Sequence, residues 1–147
     1  MDSTKFKNKY LIASSRLKNW DYAGEGMYFV TIGTKNRECY FGNIKNRKMK
    51  LSPVGEIVNQ YWFEIPKHFP NVELDEFIVM PNHVHGIVLI ENPVETCRGM
   101  SLQKPQYNKF SKPISKSISM IINHFKSAVK RWCNKNNFKN FQWQSRF

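Results

Sequence analysis

His83 and His85 stand one residue apart in "MPNHVHGIVLI", residues 80–90, at the start of an apolar run. Alternate residues of an extended strand share a face, so both imidazoles project the same way. Two imidazoles so placed can chelate one divalent ion; such nitrogen ligands suit Mn, Zn, Fe or Ni and tolerate Mg. The competing role is structural, a pair of hydrogen-bonded histidines at a strand end, because H-x-H is a short pattern.

The surrounding elements decide what the pair can do. In 83–91 the histidines share a face with Ile87 and Leu89, while Val84, Val88 and Ile90 point the other way. Both faces are apolar, which predicts a central strand covered on each side with the histidines at its rim. Only Pro81-Asn82 separates it from the strand "NVELDEFIVM", 71–80, so the two pair antiparallel. Further strands are expected at "MYFVTIGT", 27–34, and in "ECYFGNI" and "KMKLS", a hairpin around the turn Lys45-Asn46-Arg47.

Ser52 and Pro53 are start signals for a helix with Val54, Ile57, Val58, Tyr61, Trp62 and Ile65 on one face, and Pro66 is expected to end it. A second helix spans roughly 115–135, with Ile118, Ile121, Ile122, Phe125, Val129 and Trp132 on its apolar side. Between them lies a loop, 92–113, with Pro93, Gly99, Pro105 and Pro113, and "FQWQSRF" begins another short strand. Residues 1–20 are polar and basic and read as a flexible arm, leaving 21–147 as one domain. The fold class is therefore α+β, an antiparallel sheet with helices packed against it.

The net charge is +12, unevenly spread: 101–147 holds ten of the 23 Lys and Arg and none of the 11 Asp and Glu. An all-basic stretch favours a polyanion, since neutralising phosphates releases counterions condensed on nucleic acid. The apolar runs fall short of the ~20 residues of a spanning helix, so no membrane role is expected. No signal-peptide pattern opens the chain, and Cys39, Cys97 and Cys133 include no close pair. They read as free thiols in a reducing cytoplasm.

The string "MPNHVHGIVLI", preceded by "VELDEFIV" and "YFVTIGTKNRECYFG", closely resembles the small HUH single-strand transposases, especially the REP-associated tyrosine transposases. The similarity runs from about Tyr22 to Phe147. It implies a sheet of the HUH, ferredoxin-like or RRM-like kind with His83-Val84-His85 on a central strand. It also implies a divalent metal, Mg or Mn, bound by His83 and His85 and polarising the scissile phosphate of single-stranded DNA. In that family a tyrosine on the helix after the motif attacks, leaving a phosphotyrosine link and a free 3′-hydroxyl.

The chain departs from that pattern at the nucleophile. The helix at 115–135 has no tyrosine, and of the six in the chain only Tyr107 follows the histidines. Tyr107 is a weak nucleophile candidate, better suited to stacking on a base. The resemblance also implies continuation past "WQSRF", so the chain is expected to be shortened at its C-terminus, with the missing group there or absent. A third metal ligand is sought in His124, with Asn123, Glu73, Asp75 and Glu76 as alternatives.

Arg37, Lys45, Arg47, Lys48, Lys126, Lys130 and Arg131 are the expected DNA-binding residues, against a merely solvated surface. The expected partner is single-stranded or stem-loop DNA, with a homodimer left open. The rivals are a binding module without cleavage and a metal-dependent nuclease that activates water.

Overall fold

The computed structural model describes residues 5–6, 9–10, 19–22, 24–91 and 117–145. Two short strands, Lys5–Phe6 (β1) and Lys9–Tyr10 (β2), pair antiparallel inside the N-terminal arm. The main sheet has three antiparallel strands in the order β3-β7-β6: Gly26–Gly33 (β3), His83–Ile90 (β7) and Val72–Val79 (β6). The histidine strand is thus central, and a bulge between Leu74 and Phe77 interrupts its pairing with β6.

Between β3 and the first helix come a 3-10 turn, Lys35–Arg37, and the hairpin Gly42–Lys45 (β4) to Lys48–Leu51 (β5). Its two-residue turn, Asn46 at φ 51° and Arg47 at φ 61°, has the left-handed conformation that matches strand twist in a tight hairpin. Ser52 caps Pro53–Phe63 (α1), its hydroxyl accepting from Gly55 N at 3.1 Å. The chain breaks at Glu64 and turns again through Ile65–His68 (α2), so Pro66 opens a helical turn rather than ending one. In a first turn its missing N–H costs nothing. Ile118–Lys135 (α3) is capped in the same way by Ser117, which accepts from Met120 N at 3.3 Å.

The three described α-helices lie on one side of the sheet. Val30, Ile32, Val84, Val88 and Ile90 face Val54, Val58 and Trp62 of α1 and Ile121, Ile122, Phe125 and Val129 of α3 in a single core. Trp62 is the keystone: it stacks on Phe77 at 4.5 Å and meets Phe125 edge-on at 5.4 Å. Gly86 makes room for it, since a Cβ there would stand 2.2 Å from the indole. The expectation that β7 is covered on both faces is corrected here. Met27, Phe29 and Ile78, on the histidine side, are 64%, 68% and 54% exposed, so among the described residues that face is open.

Phe138, Phe141 and Trp143 return the chain to this core after α3. Gln142 to Gln144 run beside the end of β3: Lys35 N donates to Gln142 O at 2.9 Å and Gln144 N to Gly33 O at 2.8 Å. The strand expected in "FQWQSRF" is a single bridge, Thr34 to Trp143. Cys39 and Cys133 are free, and Cys97 lies outside the described residues.

Candidate metal and nucleic-acid site

Strand pairing sets His83 opposite Gly33 and His85 opposite Thr31, with both imidazoles on the open face. Their Nε2 atoms converge to 3.1 Å. Metal–imidazole bonds are about 2.1 Å, and two such nitrogens at right angles around one ion stand roughly 3 Å apart. The 3.1 Å contact is a hydrogen bond between the two rings, and an ion taking the place of its proton would meet both nitrogens at that spacing.

The opposite ring nitrogens are held. His83 Nδ1 is 2.7 Å from Asn82 Oδ1, and Asn82 Nδ2 donates to the Arg37 carbonyl at 3.1 Å. Because the amide nitrogen is committed to a carbonyl, Oδ1 is the acceptor, His83 carries its proton on Nδ1, and Nε2 presents a lone pair. His85 Nδ1 lies 2.8 Å from the Thr31 hydroxyl, which can donate or accept. Such outer partners fix ring orientation at metal sites. Burial, then neighbouring His85 and Arg37, hold His83 below the usual imidazole range, which keeps it neutral and able to ligate.

The Arg37 carbonyl comes from a strained turn. Asn36 and Arg37 both sit at positive φ, 56° and 57°, a conformation non-glycine residues adopt at some cost. Lys35 restrains the turn through its amide and through its ammonium, which donates to Gln142 Oε1 at 2.8 Å. Gln144 reaches closer to the pair. Its Oε1 fills the space above Gly33, 2.8 Å from where a Cβ would be, and Gly33 is the cross-strand partner of His83.

The sequence-predicted residues divide. Arg37 and the basic hairpin gather at the histidine end of the sheet. Phe41 N donates to Pro81 O at 3.0 Å and Thr34 N to Asn82 O at 2.9 Å, so the base of the hairpin whose tip carries Lys45, Arg47 and Lys48 lies beside the turn that precedes His83. Lys126 and Lys130 are instead tied down: Lys126 donates to Gln144 O at 2.8 Å, and Lys130 to Lys139 O and Phe141 O. They fasten the C-terminal segment.

His124 packs against His68 and Phe69 and lines, with Arg131, a cleft between the helices. The helices cover the sheet face opposite the histidine pair, so His124 does not join it. Of the acidic alternatives, Glu73 pairs with Leu89 at the far end of β7, and the β6 residue beside His85 is Ile78. Among the described residues no group of three His, Cys, Asp or Glu could hold a metal. Tyr107 lies outside the described residues.

The other tyrosines have different surroundings. Tyr28 donates to Gly24 O and lies near Tyr22, Tyr40 donates to Asn140 O, and Tyr61 lines the interhelical cleft. Asn82, Thr31, Gln144 and Phe29 escaped the sequence reading. All four stand in the quoted strings, but nothing in residue type or spacing marked them out. Phe29 stacks on His85 with centroids 5.5 Å apart and planes at 19°, its ring still largely exposed.

No protein-family model matches the chain. It is similar to an uncharacterized protein of Haemophilus influenzae, 42% identical over 134 residues that cover 91% of this chain and 74% of that protein. No described helix is long and apolar enough to cross a membrane.

Proposed function

The chain belongs to the same family as the Haemophilus influenzae protein, and we propose that it processes single-stranded or stem-loop DNA at His83 and His85. The observation that carries this reading is the convergence of the two Nε2 atoms at 3.1 Å, with Asn82 holding the far side of one ring and Thr31 of the other. A divalent ion, Mg or Mn, held there supplies Lewis-acid polarisation of a phosphate. Phe29 beside His85 gives an unpaired base a ring to stack on, an interaction open only to single strands or flipped bases. Arg37, Lys45, Arg47 and Lys48 neutralise the backbone leading to the pair.

Nicking in the manner of the HUH transposases forms a bond from a tyrosine oxygen to phosphorus and releases the 3′ oxygen. The bond energy stays in the phosphotyrosine link, so rejoining needs no nucleotide cofactor. In this reading the protein works in the cytoplasm, as a monomer or a homodimer, on DNA of a mobile or repeat element. One observation favours a second reading, a binding module without cleavage: α3, the helix after the histidine strand, carries no tyrosine.

The test is incubation of the protein and Mn(II) with end-labelled single-stranded hairpins from the host's own repeats, followed by denaturing electrophoresis. Cleavage with a covalent protein–DNA band, both lost in His83→Ala/His85→Ala, is the expected result. Cleavage without that band identifies a water-activating nuclease. Binding without cleavage identifies the binding module, and failure to bind single strands overturns the proposal.

A further inference from the structure

On the side of the sheet away from His83 and His85, α1, the corner at Glu64, α2 and α3 leave a cleft of about 290 Å³, at the small end of ligand sites. His124, Ala128, Arg131 and Lys135 line it and recur at helical spacing, so they share one face of α3. Ring contacts fix the imidazoles there. His124 meets His68 of α2 with centroids 4.8 Å apart and Phe69 edge-on at 5.4 Å. The charge of Arg131 also reaches His124. Two imidazoles and a guanidinium thus stand together beside the apolar residues Ile65, Phe125 and Ala128.

We propose that this cleft binds a small phosphate monoester with an apolar or aromatic body. The site is separate from the histidine pair on β7 and does not depend on the function proposed there. Imidazole N–H groups and a planar guanidinium offer charge-assisted hydrogen bonds to several oxygens of one tetrahedral anion. A metal ion is the wrong occupant, because a guanidinium has no lone pair to give and its charge opposes a second cation. Glu64 is the carboxylate that lines the cleft, and its Oε1 already accepts from Gln60 Nε2 at 3.2 Å, one turn back along α1. Arg131 and Lys135 outnumber it. The apolar residues select a ligand with a body as well as a charge, since a bare ion would leave them against water.

The same geometry makes binding depend on pH. Burial, then His68 and Arg131, hold His124 below the usual imidazole range in the empty cleft. The titratable and charged groups around it are Tyr61 of α1, Glu64 at the corner, His68 of α2, and Arg131 and Lys135 of α3. An anion in contact with the ring favours its charged form and raises it, so binding takes up a proton and tightens as pH falls.

The test follows phenyl phosphate binding to the metal-free full chain in a chelating buffer, by calorimetry and by the ring-proton NMR signals of His68 and His124. Wild type is expected to bind phenyl phosphate about tenfold tighter than inorganic phosphate, with both ring signals shifted. Affinity is expected to rise about threefold from about pH 8 to about pH 6.5, where the ester keeps most of its second charge. Arg131→Gln and His68→Gln, both at exposed positions, are each expected to weaken binding about tenfold with the melting temperature unchanged, and His124→Gln to abolish the pH dependence. His83→Ala/His85→Ala is expected to bind as wild type does. Unshifted ring signals, equal affinity for the two phosphates, binding unaltered in both Arg131→Gln and His68→Gln, pH dependence retained in His124→Gln, or binding lost in His83→Ala/His85→Ala would each overturn the inference. So would displacement of phenyl phosphate by a single-stranded oligonucleotide lacking a terminal phosphate, which would assign the cleft to a nucleic-acid backbone.

Discussion

At the scale of single residues, the site depends on which nitrogen of each imidazole carries the proton. Replacing an outer partner of a ligating histidine commonly costs 10- to 100-fold in metal affinity. Thr31→Val and Asn82→Ala are each predicted to weaken Mn(II) binding by about tenfold or more, with Asn82→Asp restoring much of the loss; calorimetric titration checks this. His83 also has a predicted titration. Its folded value lies below 6.5, so its contribution to stability is fully present above that pH and is lost as pH falls through the depressed value. In a proton NMR titration of the metal-free protein the His83 midpoint is expected below 6.5, and a midpoint above it contradicts the account. The histidines themselves were legible in the sequence because a strand's two-residue period fixes their common side. The relay behind them was not, because it runs through the carbonyl of Arg37, far away in sequence and held by a turn in left-handed conformation.

At the scale of elements, the close fit between β7 and α1 makes Gly86 a sharp test. A methyl group there would stand 2.2 Å from Trp62, which Phe77 and Phe125 hold in place. Overpacking of this kind costs about 1–3 kcal/mol, so Gly86→Ala is predicted to lower the unfolding free energy by that much in urea. Lys126 and Lys130 give a second test. Since their ammonium groups bind carbonyls of the C-terminal segment, Lys126→Met and Lys130→Met are expected to destabilise the fold by about 1–2 kcal/mol each. Lys45→Gln, Arg47→Gln and Lys48→Gln are expected to leave the melting temperature unchanged. The first turn of α1 was readable because Ser52 and Pro53 act locally. The coverage of the sheet was not: Ile87 and Leu89 are as apolar as Val88 and Ile90, and only the placement of the helices shows which side stays open.

At the scale of the molecule, the charge of +12 becomes directional once the tied lysines are set apart from the free ones. Arg37 and the base of the basic hairpin stand at the histidine end, where the proposed function has a single strand meet cations before it meets the histidine pair. Each phosphate neutralised on a single strand adds about 0.7 to the steepness of the log–log salt dependence. Removing Lys45, Arg47 and Lys48 together is predicted to flatten that slope by about 2, measured by fluorescence anisotropy of a labelled hairpin oligonucleotide. The total charge could be counted from the sequence. Which cations were free to meet DNA could not, because Lys126 and Lys130 find their partners only when the C-terminal segment folds back along α3.

In the proposed function a DNA phosphate and a divalent ion share the His83–His85 site. Ligands that share a site and favour each other must do so reciprocally. The most direct measurement is Mn(II) binding, followed by electron paramagnetic resonance, with and without a single-stranded hairpin oligonucleotide. The oligonucleotide is predicted to tighten Mn(II) binding by wild type by about tenfold, equivalent to a coupling of ~1.4 kcal/mol, and to give no such gain in His83→Ala/His85→Ala. Equal Mn(II) affinity in wild type with and without the oligonucleotide, or an equal gain in the double variant, would contradict it.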